Sequence, residues 1–305
     1  MRWGVALNVR NTLSETLRKA MVVDTDGLEQ IWVTDFPTIR YAPAVAAAIA
    51  ESTSSCRIGV GLVSPILYST TQIVQFMSTL IDSFGERFDL LLGPGDRYAL
   101  TNIGVIQSGK QVVGQTIGSL VRIRNELREG GYRCSTFLGA QGPAMIRGSL
   151  KADGVLLNYS DLQLIQWALD QLRKGNQPPK DFQIGVFPPT FVGNCREFER
   201  DQGVAVSAAM VAIGLNSTVA RLFGFQDHIE RAKRMVKERG KINLEVIKSL
   251  GDEILQRFAF CGTSDQLINY TETLERLGVS QMVFGPPQGV TRDGVEDLVK
   301  IRAAL

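Results

Sequence analysis

The sequence predicts a closed (β/α)8 barrel, a single α/β domain over residues 1–305, and three observations carry that prediction. Eight short apolar runs alternate with helical stretches, the pattern of a parallel sheet covered by crossover helices. The length, 305 residues, is ordinary for one such barrel and leaves enough chain to bury a large core. The first strand-to-helix turn, Asn8-Val-Arg-Asn-Thr12, has no glycine, whereas an open doubly wound sheet usually carries GxGxxG there.

The elements follow in order. The first run is Trp3–Val9, inside a strand reading of Arg2–Val9, and the amphipathic segment Thr12–Asp24 follows with Ser14 near its start as a cap. Gln30–Thr34 is the second run, and Arg57–Gly61 the third, after the alanine-rich helix Pro43–Ser52. A helix at Thr70–Phe84 leads to Phe88–Leu92, and one at Gly109–Arg128 leads to Ser135–Gly139. Helix Ala144–Leu150 precedes the sixth run, Gly154–Asn158, and helix Asp161–Arg173 the seventh, Gln183–Phe187. Glu197–Leu277 reads as a long, mostly helical insertion between the seventh and eighth strands, within the same domain. Gln281–Phe284 is the eighth run and Asp293–Ala304 the last helix, and no repeat, low-complexity tract or linker divides the chain.

Composition excludes several function classes. The net charge is +2, from 33 basic and 31 acidic residues, and the short basic cluster Arg231–Arg239 includes Glu238, so it reads as a solvated helix face and not a nucleic-acid patch. Cys56, Cys134, Cys195 and Cys261 are isolated, with no CxxC and no zinc spacing, which fits a reducing cytoplasm. His228 is the one histidine; this excludes histidine-rich metal sites and assigns it a surface or helix-end place. No signal peptide precedes the first strand, and no 18-residue apolar stretch predicts a membrane span.

In such a barrel the chemistry sits at the C-terminal ends of the strands. The segments there are Asp35-Phe36, Gly61-Leu-Val-Ser-Pro65, Gly93-Pro-Gly-Asp-Arg97, Gly139-Ala-Gln-Gly-Pro143, Asn158-Tyr-Ser160 and Gly285-Pro-Pro-Gln-Gly289. Glycine lets backbone approach a planar ring or a phosphate, and Gly139–Pro143 leads straight into a helix, whose first amides bind phosphate; strand-to-helix turning alone also calls for such residues. Asp96 reads as a proton donor or acceptor, or else as a partner of Arg97 or a helix cap. Asp35 reads as an acceptor for a ring N–H, or as a cap for the next segment.

With these motifs the sequence resembles the luciferase-like superfamily, and within it the coenzyme F420-dependent methylenetetrahydromethanopterin reductases of archaea. The resemblance spans nearly the whole chain. It is carried by Leu92-Gly-Pro-Gly-Asp96, Leu138-Gly-Ala-Gln-Gly-Pro-Ala-Met145 and Cys261-Gly-Thr-Ser-Asp-Gln266, followed by Leu277-Gly-Val-Ser-Gln281 and Phe284-Gly-Pro286. It implies a bacterial-luciferase-type barrel, coenzyme F420 (alternatively FMN) as cofactor, and a homo-oligomer, dimer or tetramer. It implies a non-prolyl cis bond at Gly61-Leu62 behind the ring, with Ser64 on the same segment among the cofactor contacts. Gly139, Ala140, Gln141 and Gly142 would hold the cofactor phosphate, beside Asn158, Tyr159 and Ser160. Asp96 would lie near the reacting carbon, and Asp35 at the ring's polar edge.

Two positions depart from the pattern. The reductases carry a glutamate in the first strand where this chain has Ala6, and many F420-dependent members have histidine where it has Phe36. Three functions therefore stand side by side: an F420-dependent oxidoreductase acting on a tetrahydromethanopterin-type one-carbon substrate, an FMN-dependent monooxygenase, and a non-catalytic flavin-binding homologue. A basic groove for the longer F420 tail could draw on Arg97, Arg147 and Lys151.

Overall fold

The computed structural model of the chain describes residues 1–7, 11–36, 39–95, 100–101, 103–105, 109–174, 177–193 and 202–305. Its strands are β1 (Arg2–Leu7), β2 (Gln30–Val33), β3 (Arg57–Val63), β4 (Phe88–Leu92), β5 (Ser135–Ala140), β6 (Gly154–Leu157), β7 (Gln183–Val186), β8 (Thr190–Val192), β9 (Phe260–Gly262) and β10 (Gln281–Phe284). Eight of them close a parallel barrel in the order β1-β10-β7-β6-β5-β4-β3-β2, so the (β/α)8 expectation is borne out. β1 forms the seam, pairing Ala6 with Trp32 of β2 on one side and Gly4 with Val283 of β10 on the other.

Both faces of every barrel strand are covered, which is why the runs are apolar throughout instead of alternating. Outside the barrel, strands and helices share one large core. Inside it lies a second cluster of Ala6, Trp32, Leu91, Phe137, Leu156 and Val283, with Leu62 and Phe187 against it. Two aromatics meet edge to face in that narrow space, Trp32 and Phe137 at 6.0 Å. Their neighbours must be small: a Cβ at Gly59 would lie 2.3 Å from the Trp32 indole, and one at Gly154 2.6 Å from Phe137. At the N-terminal end the fully buried Asp89 closes the barrel, accepting from Gln30 Nε2 at 2.7 Å and from Arg57 Nη2 at 2.6 Å.

Several sequence readings shift in detail. The strand pair β8–β9 lies outside the barrel and was not foreseen, because three-residue runs carry no readable periodicity. β3 continues two residues beyond Gly61 to Val63. Thr12, not Ser14, caps the first helix, in a reciprocal box with Glu15. Pro143, with no amide hydrogen to lose, opens the helix Pro143–Gly148 one residue before the expected start. The excursion is helical over Gln202–Gly214, Ser217–Leu222, Gln226–Arg239, Leu244–Leu250 and Asp252–Phe258, is interrupted by β9, and ends in Ser264–Arg276. Among the described residues no helix is long and apolar enough to cross a membrane, and no cluster of His, Cys, Asp and Glu could hold a metal ion.

Candidate active site

The floor of the site is built at the ends of β3, β4 and β5. The Gly61-Leu62 peptide bond is cis, where the resemblance places it. Gly61 has φ +151, and a Cβ there would strike the Leu91 carbonyl at 2.4 Å, so only glycine fits. The Leu62 side chain turns onto the inner cluster between two further glycines: a Cβ at Gly93 or Gly139 would lie 2.2 or 2.8 Å from Leu62 Cδ1. One leucine thus fills the space that two bare backbones leave.

Ser64 supports this floor from below. It is 2% exposed; its hydroxyl donates to the Pro94 carbonyl at 3.0 Å and accepts from the Ile66 amide at 3.3 Å. That ties the strand-3 loop to the start of the Gly-Pro-Gly-Asp loop. Asp96, the expected proton donor, and Arg97 lie outside the described residues.

On the β2 side Asp35 is buried, at 9% exposure. Its Oδ1 accepts the amide of Ala42, the first residue of the helix Ala42–Ser52, at 3.2 Å, and the Tyr68 phenol lies near the same carboxylate. Burial raises the Asp35 pKa, while the Ala42 amide and the nearby phenol pull it down. Burial and the Asp35 charge in turn push the Tyr68 and Tyr41 phenols up. The rings of Tyr41 and Tyr68 pack 5.9 Å apart. Of the two readings of Asp35, the one seen here is service to the next helix, through the Ala42 amide. Tyr41 and Tyr68 were missed because each lies several residues beyond the end of its strand, outside the segments expected at the rim. Their signal was two tyrosines in loops that follow neighbouring strands.

On the β5–β6 side the 139–142 loop lies under the helical excursion. Gln141 Nε2 donates to the Val211 carbonyl at 3.4 Å, and a Cβ at Gly142 would lie 2.9 Å from Asn216 Nδ2. Ala140 is buried, with its backbone paired to Leu157. Tyr159 is fully buried and its hydroxyl donates to the Gln141 carbonyl, so it shapes the loop from inside. Ser160 points to the excursion, donating to the Gln256 carbonyl at 3.4 Å, while its own carbonyl accepts from Tyr270 at 2.7 Å. Asn158 differs from both: its Oδ1 is buried and has no hydrogen-bond partner among the described residues.

The remaining expected groups lie elsewhere. Ala6 is 1% exposed within the inner cluster. Phe36 is half-buried and bridges to Arg40 through its backbone, and His228 is exposed on the helix Gln226–Arg239. The proposed basic groove loses two members. Arg147 donates to Gln171 of the helix Leu162–Arg173, and Lys151 follows helix Pro143–Gly148 away from the rim, just before β6 begins. The direction of a barrel helix, from C-terminal rim to N-terminal end, puts both off the cofactor side. The barrel order therefore gathers Asp35 and Tyr68 at one edge and Asn158 with the 139–142 loop at the other, with Leu62 and Gly93 between them.

Comparison with known proteins agrees with the resemblance read from the sequence. Residues 1–105 match the family described as luciferase-like monooxygenase. A 5,10-methylenetetrahydromethanopterin reductase of Methanolobus tindarius is 23% identical, over 98% of this chain and 98% of its own length. Among solved structures, the coenzyme F420 dependent tetrahydromethanopterin reductase from Methanopyrus kandleri has a TM-score of 0.79 at 17% identity, covering 98% of this chain and 97% of that one. An F420-dependent secondary alcohol dehydrogenase, solved with an F420-acetone adduct, has a TM-score of 0.72 at 14% identity, covering 98% and 97%. At these identities the two structures establish a shared fold, the (β/α)8 barrel.

Proposed function

We propose that this chain is a coenzyme F420-dependent oxidoreductase that exchanges hydride between the reduced deazaflavin and a pterin-type one-carbon substrate, 5,10-methylenetetrahydromethanopterin or a close relative. The observation that supports it is the cradle at the rim: Leu62 between the bare backbones of Gly93 and Gly139, with an acceptor at either end. A planar tricyclic ring needs a flat apolar support, its imide edge needs an acceptor, and a ribityl hydroxyl needs another. Leu62, Asp35 and Asn158 Oδ1 meet those needs, so the residues present fit the group.

The deazaflavin, when bound, supplies the hydride-carrying carbon. The chain supplies position and proton control. Asp35 orients the ring through its N–H, and the 139–142 loop receives the phosphate end beside Asn158. Ala6 offers only a methyl group, so strand 1 contributes no proton. Asp96, in the loop that Ser64 anchors, is the proton donor in this reading. Residues 1–305 act as one domain, because the seam strand β1 pairs with the last barrel strand. The match of residues 1–105 to luciferase-like monooxygenases favours, as a second reading, FMN on the same cradle.

The test is an absorbance titration of the purified chain with F420 and, separately, FMN. F420 is expected to bind, and reoxidation of reduced F420 by methylenetetrahydromethanopterin is expected to follow. Asp96→Asn is expected to cut turnover sharply with cofactor affinity nearly intact. Preference for FMN would move the assignment to the second reading, and binding without turnover on any acceptor would leave a non-catalytic homologue.

A further inference from the structure

We propose that the base of the barrel is a binding site for ordered water, held between the side-chain amides of Gln281 and Gln30 and the indole N–H of Trp32. The site lies below the apolar inner cluster, at the opposite end of the barrel from the candidate active site, and does not depend on the cofactor reading.

The strand registers assemble it. Trp32, Leu91, Leu156 and Val283 point inward from β2, β4, β6 and β10. Side chains alternate along a strand, so the residues two earlier, Gln30, Asp89, Gly154 and Gln281, point inward as well. Advancing one residue at each strand pairing leads from Gln30 through Asp89, Gly154 and Gln281 back to Gln30. That closure makes the four one layer of the barrel interior, drawn from alternate strands. Bulky apolar side chains dominate such layers. Here the layer is two amides, a carboxylate and a glycine.

Bare backbone makes room for them. A Cβ at Gly185 would lie 2.6 Å from Gln281 Cγ, so glycine there seats the glutamine. A Cβ at Gly4 would lie 3.2 Å from Gln30 Cβ and 3.4 Å from Trp32 Cδ1, the atom bonded to Nε1. Gln30 and the pyrrole edge of Trp32 therefore flank the same glycine.

The hydrogen bonds name the ligand. Asp89 is fully engaged, accepting from Gln30 Nε2 at 2.7 Å and from Arg57 Nε and Nη2 at 3.1 and 2.6 Å. Gln30, Trp32 and Gln281 are all fully buried. Yet Gln30 Oε1, both amide atoms of Gln281 and Trp32 Nε1 have no partner among the described residues. Protein interiors keep few such atoms unpaired, and turning the Gln281 amide over exchanges its two ends and pairs neither. What is unmet is two carbonyl oxygens that accept, the two hydrogens of an amide and the one of an indole. The ligand must both donate and accept. It carries no net charge: Arg57 already balances the carboxylate of the layer, a cation would face the N–H groups, and an anion would face Asp89. Water meets these terms, and buried polar groups of this kind hold it.

The experiment uses the full chain labelled with 15N and water-selected NOE and ROE spectra. Gln281→Met assigns the Gln281 side-chain amide, and Trp32→Phe assigns the Trp32 indole. In wild type both signals are expected to show a direct cross-peak with water, of the sign given by a long-lived bound molecule. A crystal structure of the wild type is expected to show solvent density within hydrogen-bond distance of Gln281 and of Gln30 Oε1, with no anomalous peak there after a rubidium soak. Absence of the cross-peak at either group, a direct bond from Gln281 Nε2 to Gln30 Oε1, or a rubidium peak in the layer overturns the proposal. If either variant fails to fold, the wild-type crystal structure decides alone.

Discussion

Replacing Gly93 by alanine tests whether Leu62 is held between two glycines for the sake of the site above it. The added methyl would lie 2.2 Å from Leu62 Cδ1, 2.7 Å from Cγ and 3.1 Å from Cδ2. Carbon atoms pack best at roughly 3.5–4.0 Å, so the whole isobutyl group, and not only its tip, must leave. Gly139, on the other side, has no Cβ to stop a small shift, so comparing the variants tells whether Leu62 moves that way or into the proposed ring site. Overpacking of this kind costs about 2 kcal/mol, or roughly 3 °C in Tm for a chain of this size. A leucine displaced into the cleft should weaken F420 binding by about tenfold. Leu62→Ala alone costs about 2 kcal/mol through lost packing, yet it makes room for the new methyl. The double variant is therefore expected to be about 1–2 kcal/mol more stable than the sum of the singles. Thermal denaturation and F420 titration of the four proteins read this directly. Additive losses of stability, or a Gly93→Ala protein with wild-type Tm and affinity, would refute the packing argument.

Two further substitutions probe buried polar groups. Lys19 is 2% exposed, and its ammonium donates to Asn11 Oδ1, Gly289 O and Val290 O at 2.9, 2.7 and 2.9 Å, clasping the loops after β1 and β10. Lys19→Met strands those three oxygens and is expected to cost about 3 kcal/mol in urea unfolding, with faster amide exchange at residues 289–291; wild-type stability would contradict the clasp. Gln281, on β10 inside the barrel, has both amide atoms buried without a partner among the described residues. Gln281→Met keeps the volume but takes the amide from the proposed internal water, so a loss above about 1 kcal/mol is expected, and stability that holds or rises would show that the amide lies dry.

The barrel was legible because its signal is local and repeated. Trp3-Gly-Val-Ala-Leu, Gln30-Ile-Trp-Val and Phe88-Asp-Leu-Leu-Leu each announce a strand buried on both faces, and the helices between them show their own period. What stayed hidden depends on packing between distant residues. Nothing near Gly59 in sequence says that its partner is Trp32, or that Gly154 answers Phe137. The pair β8–β9 joins residue 190 to residue 260 across the excursion, and neither three-residue run has a period to read. Arg147 and Lys151 looked available for a cofactor tail until the helix direction carried them off the rim.

The site was legible where a residue type is forced and illegible where a role is relational. Gly61, Gly93 and Gly139 stand out in the sequence, but glycines that line a floor and glycines that make room for Trp32 look alike there; Leu62 and Trp32 tell them apart. Tyr41 and Tyr68 meet at 5.9 Å from loops after neighbouring strands, a contact that no spacing rule connects. Ala6 is the instructive residue. Its methyl sits in a cluster with Trp32, Leu91, Phe137 and Val283, and its carbonyl lies 2.0 Å from where a Cβ on Gly289 would be. A carboxyl at position 6 would enter apolar packing, where burial without a partner raises its pKa and costs stability. The surroundings have thus settled around the alanine. If this barrel moves a proton, the acid must come from the rim loops, where Asp96 is the proposed donor, and not from strand 1.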